Sequence, residues 1–502
     1  MHRLPGDRTD RYDRTVKSGD AASNKKERER MRASRPALAS SIMSIALLWP
    51  TMAAAQDPAQ DHPAMVAGRP APAVQGVWRS RGYGYVARIT ADGAKLFHVA
   101  GDFCYADPRP ERETNGLFAF YRPWGAEGIA FSRTPEQTRF VFDRLPVLPQ
   151  PCADPTPWSR PRIAELVAAT FADLYPSFAE RRIDWPAQAA AALRALNGTS
   201  NDDALFETLR TMLAGVEDPH VELHAKVAGK ARDFEPGDGV TLERIRAARG
   251  NGGDPRTRQQ EWQRAYRRGV LDTVLQGKGH RAANDRMLWG RVGDIGYLNL
   301  LSMGGFGATR GDTTALDAAL DDAITAFEGA RAVIVDISNN DGGGDRIAQH
   351  IAGRFADARR LAYSKIGFGA QGVEPQPFHV EPSKRARYLG PVYLLTSDVT
   401  LSAAEVFGLY MRVLPNVTHV GATTRGAFSD MITKPLPNGW TLLLSAEVYR
   451  DPQGQSYEVR GLPPQVKREV FPPDDLTGGH ARAALGLMEE IRRDPQGVGH
   501  AR

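Results

Sequence analysis

Between Asp294 and Gly421 the chain repeats one pattern, a short continuous apolar run followed by a longer amphipathic one. The apolar runs are Asp294-Ile295-Gly296-Tyr297-Leu298-Asn299-Leu300, Ala332 to Ile337, Val392 to Thr396 and Thr418-His419-Val420-Gly421. Helical periodicity covers Thr314 to Ala330 and Ser402 to Val413 between them. Strands apolar throughout are buried on both faces, and strands alternating with helices build a mostly parallel sheet with helices on each side. Loops leaving the carboxyl ends of such strands are where active sites collect, so chemistry is sought there first.

The rest of the chain reads differently. Residues 75–155 show short runs such as Gly84 to Ile89, Leu96 to Val99 and Arg139 to Phe142, broken by turn residues, which predict a small antiparallel sheet or barrel. Residues 156–225 turn helical, with Ile163, Leu166, Val167, Phe171 and Leu174 on one face and Asn201-Asp202-Asp203 as a cap for the last helix. Residues 226–285 are polar and charged, with a helix around Gln259 to Leu275, and read as an insertion or lid. The α/β region runs over 286–478, and 479–502 forms a terminal helix and tail.

Residues 1–55 read as a leader. Arg28, Arg30, Arg32 and Arg35 precede an apolar run from Ala37 to Trp49, and Ala53-Ala54-Ala55 supplies a small-residue cleavage site ahead of Gln56. Met31 is an alternative start. Residues 56–74, rich in Ala, Pro, Gln and Asp, form a linker. The net charge of +5 belongs to the leader: residues 1–36 hold 11 Lys+Arg against 6 Asp+Glu, and the remainder balances at 53 of each. That removes the electrostatic argument for a nucleic-acid partner. No other segment is apolar for long enough to span a bilayer once the signal is removed. Cys104 and Cys152 are the only cysteines, and in an oxidising compartment the pair predicts a disulfide.

Two segments carry candidate chemistry. Gly342-Gly343-Gly344 follows the strand ending at Ile337, and such a loop brings bare N–H groups close to a ligand. Ser402 lies where a strand runs into a helix; taken singly it is an N-cap, but the same turn can present its hydroxyl to a cleft.

Five motifs in order carry a family resemblance. Asp336-Ile337-Ser338-Asn339-Asn340-Asp341-Gly342-Gly343-Gly344, Thr396 to Glu405, Gly421-Ala422-Thr423-Thr424-Arg425-Gly426, Tyr457 to Pro464 and Asp218-Pro219-His220 resemble segments of the tricorn-core and carboxyl-terminal-processing serine peptidases. The resemblance implies a crotonase/ClpP-like catalytic core, preceded by the helical subdomain and the small β-rich domain. It implies Ser402 as nucleophile, an oxyanion hole from the N–H groups of Gly343 and Ala403, and no metal or organic cofactor. One branch places a lysine just after the Gly-x-x-Thr-x-Gly turn, where this chain has Ala427; Lys434 does not match that place. The other branch uses a histidine backed by a glutamate, which His220 and Glu458 match. His224 stays open as a rival base, and Arg425 as a substrate contact or ion pair.

Ser338, Val459 and Gln465 depart from the family pattern, and no PDZ-like segment is visible. The resemblance implies a peptide or protein substrate and a periplasmic or secreted location. An esterase and a ligand-binding protein on the same fold, as among retinoid-binding relatives, are the alternatives.

Overall fold

The computed structural model describes residues 60–493 apart from 111–114, 136, 154–155, 249–253 and 310. The leader lies outside the described residues. The described residues belong to one compact unit.

The N-terminal part is an eight-stranded antiparallel sheet running from His62–Pro63 at one edge, through Phe140–Leu145, Gly76–Ser80 and Tyr85–Thr90, to Phe103–Ala106 at the other. Cys104 and Cys152 are joined by a disulfide, which ties the edge strand to the segment leaving the sheet. Three helices follow, Arg160–Leu174, Trp185–Leu193 and Asp202–Met212. Each is capped by a side-chain oxygen, from Ser159, Asp184 and Asn201, accepting a first-turn N–H. Their apolar faces share one core with the sheet and with strand Thr441–Ser445.

A hairpin of Glu222–Val227 and Lys230–Phe234 comes next, so pairing crosses the expected boundary at 225/226. Glu222–Val227 also pairs with Thr441–Ser445, which fastens the segment after His220 to the 286–478 region. The expected helix near Gln259 begins earlier, at Pro255, because Asp254 caps it by accepting the Thr257 N–H; it continues as a wider turn over Gly269–Val274.

The central sheet has seven strands. Ile295–Leu300, Ala332–Asp336, Val392–Thr396, Val417–Gly421 and Val466–Lys467 run parallel, with Met287–Val292 and His280–Ala282 antiparallel at one side. The period of two is visible in the packing. Leu298, Val333, Val335 and Leu394 face helices Thr314–Ala326, Asp345–Ala352 and Ala403–Arg412. Tyr297, Ile334, Tyr393 and Leu395 face Tyr266 and the terminal helix Gly479–Arg493. Both faces are therefore buried, as continuous apolar strands require. A three-stranded sheet, with Arg360–Gly367 between Gln376–Val380 and Glu447–Arg450, links this domain to the N-terminal sheet.

Candidate active site

Ser402 sits between strand Val392–Thr396 and helix Ala403–Arg412, with φ 59° and ψ −127°. A side chain rarely occupies that region, and such strain persists only where neighbours hold it. Here the neighbours are numerous. Ser397 Oγ donates to the Ser338 carbonyl at 2.6 Å, Thr400 Oγ1 to the Ile337 carbonyl at 2.9 Å, and Leu401 N–H to the Asn340 carbonyl at 3.0 Å. Glu405, fully buried one turn into the helix, accepts the Ser402 N–H at 3.2 Å. It also accepts from Thr424 Oγ1, Gly426 N–H and Ala427 N–H at 2.6, 2.6 and 2.8 Å. Burial pushes its pKa up to about 7 against the pull of those donors.

The glycine loop lies directly against this turn. A Cβ on Gly342, whose φ is 95°, would stand 2.6 Å from Ser402 Cβ and 3.2 Å from the Ala403 nitrogen, so only glycine fits. Met303 fixes the loop from the other side: its N–H donates to the Gly342 carbonyl at 2.7 Å and its carbonyl accepts from Gly344 N–H at 2.9 Å. This bridge uses the groups flanking Gly343 and leaves the Gly343 N–H out of the pairing. Neither that N–H nor the first helical N–H, of Ala403, is committed to an acceptor among the described residues.

His220 is buried, with 3% exposure, at the end of the segment that follows the helices. Asp218 holds it through the main chain, accepting the His220 N–H at 2.8 Å. The other Asp218 oxygen takes Tyr175 OH at 2.9 Å and Ser445 Oγ at 3.1 Å. Burial lowers the His220 pKa below the usual imidazole value, against the raising influence of Asp218, Asp430, Glu222 and the Ser429 main chain. Its Nδ1 is buried without a hydrogen-bond partner among the described residues.

Glu458 is also buried. One oxygen accepts Phe428 N–H at 2.9 Å and Ser429 N–H at 3.2 Å; the other, Oε1, has no partner among the described residues. Burial and the nearby Asp218 and Glu405 carboxylates raise its pKa well above the usual range. No hydrogen bond joins His220 to Glu458 among the described residues, though both lie on Ser429.

The segment Thr424–Asp430 is thus the common spine. Its first half is bonded to the carboxylate that anchors Ser402, its second half to Glu458, and its Ser429 main chain faces His220. His224 lies elsewhere: both ring nitrogens meet carboxylates, Glu222 at 2.8 Å and Asp233 at 3.0 Å, on the hairpin surface. Those carboxylates raise its pKa, in spite of partial burial. Arg425 donates to main-chain carbonyls, Gly237 at 2.9 Å and Glu217 at 3.2 Å, and so ties the spine to the loop before His220.

Three residues of this arrangement were not singled out by sequence. Glu405 was legible as the fourth residue of Ser402-Ala403-Ala404-Glu405, the spacing of a capping box. Asp218 stood beside His220 in its motif. Ser429 carried no signal, because its role is set by main-chain position.

Residues 294–468 match the model of Peptidase family S41. The chain is 28% identical over 162 residues to the carboxy-terminal processing protease CtpA of Bacillus subtilis (strain 168), covering 32% of this chain and 33% of that protein. It therefore spans about a third of the length of that curated relative. A crystal structure of a putative peptidase from Parabacteroides merdae ATCC 43184 superposes with a TM-score of 0.53 at 24% identity, covering 67% of this chain and 97% of that one. That likeness supports the fold.

Proposed function

We propose, from the match of residues 294–468 to the model of Peptidase family S41, that the chain is a serine peptidase in which Ser402 attacks the substrate carbonyl and His220 acts as base. The observation that supports this most is the backbone of Ser402, a non-glycine residue held at positive φ at a helix start with Gly342 pressed against it. A serine on such a strand-to-helix turn stands at the carboxyl edge of the sheet, where a substrate carbonyl can meet its hydroxyl.

In the reading offered here, Ser402 Oγ bonds to the carbonyl carbon while its proton passes to neutral His220. The oxyanion is met by the N–H groups of Gly343 and Ala403, reinforced by the dipole of the helix behind them. The C–N bond then breaks, and the amine nitrogen leaves with the proton from His220. Water repeats the sequence on the acyl-enzyme and frees Ser402. The lowered pKa of His220 suits it to start neutral. Glu458 contributes by fixing Phe428 and Ser429 beside the imidazole, and its unpartnered Oε1 is available to the imidazolium that forms. No step calls for a metal or organic cofactor.

The Cys104–Cys152 disulfide supports export, since such bonds persist in oxidising compartments, and we place the mature protein in the periplasm or outside the cell. No described helix is long and apolar enough to cross a membrane. Peptide substrates are tested with a peptide library: the wild type should release new N-termini, and Ser402→Ala should release none. Undiminished cleavage by Ser402→Ala would overturn the assignment.

A further inference from the structure

A second buried polar cluster adjoins the His220 shell, and part of it comes from the N-terminal sheet. Tyr83, in the turn after strand Gly76–Ser80, sends its hydroxyl to Glu447 Oε1 at 2.8 Å. Glu447 Oε2 lies 3.1 Å from Lys365 Nζ, and Lys365 in turn donates to Asp430 at 2.6 Å and to Tyr449 OH at 2.9 Å. Asp345 lies 3.7 Å from the same ammonium. Side chains of Lys365 and Glu447 are each 2% exposed, whereas Asp430 is half-exposed.

This cluster is bonded into the base's surroundings by the main chain. Glu447 N–H and Ala446 N–H both donate to Ser429 Oγ at 3.0 Å, and Ser429 N–H is one of the two donors on Glu458. One residue earlier, Ser445 Oγ donates to Asp218, the anchor of His220. The strand segment 445–447 therefore carries, in three consecutive residues, bonds to Asp218, to Ser429 and to the Tyr83 hydroxyl.

Tyr83 is itself held firmly. Its φ is 59°, and buried Lys434, with no carboxylate partner among the described residues, donates to the Tyr83 and Gly84 carbonyls at 2.6 and 3.0 Å. Its ring packs against Gly367, where a Cβ would stand 2.5 Å from it. A lysine is costly to bury, and its use to hold a strained tyrosine in place singles out that tyrosine's hydroxyl.

We propose that Tyr83 is a positioning residue: through Glu447 and Lys365 its hydroxyl keeps Asp430 paired and the 445–447 segment in register, so that the N-terminal sheet completes the base side of the active site. The inference rests on the serine-peptidase reading. The groups facing His220 are Asp218 and Glu222 from its own segment and Asp430 with the Ser429 main chain from the spine. Those facing Glu447 are Tyr83, Lys365 and Asp430. Without the hydroxyl, Glu447 must rely on Lys365 alone, which loosens Lys365 from Asp430. The freed Asp430 charge then favours protonated His220, and the acid limb of reactivity moves to higher pH.

The test is the rate of fluorophosphonate labelling of Ser402 across pH, read by mass spectrometry, with thermal midpoints recorded alongside. Tyr83→Phe keeps the ring and should label roughly tenfold more slowly at neutral pH, the loss expected for one hydrogen bond to a charged group. Its acid limb should rise by about half a pH unit. Asp430→Asn should move the limb the opposite way, and Tyr83→Phe combined with Asp430→Asn should show no upward shift. Arg81→Ala is the control, since Arg81 contacts the Gln371 and Gly372 carbonyls across the same junction but outside the cluster. A Tyr83→Phe profile superimposable on wild type, or an equal slowing by Arg81→Ala, would overturn the proposal. Should Tyr83→Phe fail to fold, an Asp430→Asn limb that stays put or rises also overturns it. Wild-type protein that is not labelled at Ser402 removes the catalytic reading itself, and the proposal with it.

Discussion

The two halves of the candidate site are built differently. On the nucleophile side, the turn Ser397–Ser402 and the glycine loop are adjacent strand ends of one parallel sheet, and Glu405 meets four donors. On the base side, His220 and Glu458 arrive from segments 238 residues apart in the chain, and each keeps one buried polar atom without a partner. Buried polar atoms of this kind are usually hydrogen-bonded, to protein or to ordered water. The surroundings of Ser402 are closely bonded, whereas those of His220 and Glu458 leave bonding capacity open among the described residues.

The largest expected effect breaks the nucleophile half. Ser402→Ala should lower kcat/KM on peptides by at least about 10³-fold. Its thermal midpoint should barely move, because alanine meets the same backbone strain. Gly342→Ala comes next: with 2.6 Å to Ser402 Cβ and 2.8 Å to the Leu401 carbonyl, the turn must shift. A loss of about 100-fold in kcat and about 2 kcal/mol of stability is expected, read by steady-state kinetics and urea unfolding.

The base half is sharpened by pH. His220 has a folded-state pKa below its unfolded value, so the folded protein binds fewer protons beneath the ordinary imidazole pKa. Its contribution to stability is full above that pKa and is lost as pH falls through the window beneath it. His220→Gln should flatten that part of the urea-midpoint profile, at most about 1.4 kcal/mol per pH unit. The smallest effect on activity is expected far from both halves. Reducing Cys104–Cys152, separated by 48 residues, should cost about 4 kcal/mol of stability on loop entropy, yet leave kcat within about twofold at temperatures where the protein stays folded.

The same contrast explains what the sequence made legible. Continuous apolar strands announced the parallel sheet, and local order of glycines and serine announced the nucleophile half, because those contacts run between neighbouring strand ends. The base side was legible only as short motifs, and its choice between His220 and His224 was open in sequence. The two differ in surroundings: His220 is buried, and His224 lies on a hairpin surface between two carboxylates. Lys365, Glu447 and Tyr83 were illegible, because a buried lysine and a surface lysine look alike until tertiary packing surrounds them. The close approach of Gly342 to Ser402 is not legible in sequence, which does not show which of three glycines touches the serine.

The most direct measurement compares fluorophosphonate labelling of Ser402 in His220→Ala and His224→Ala with wild type at neutral pH. The account predicts that His220→Ala loses labelling by about 10³-fold or more while His224→Ala labels at the wild-type rate. Labelling of His220→Ala at the wild-type rate would contradict it.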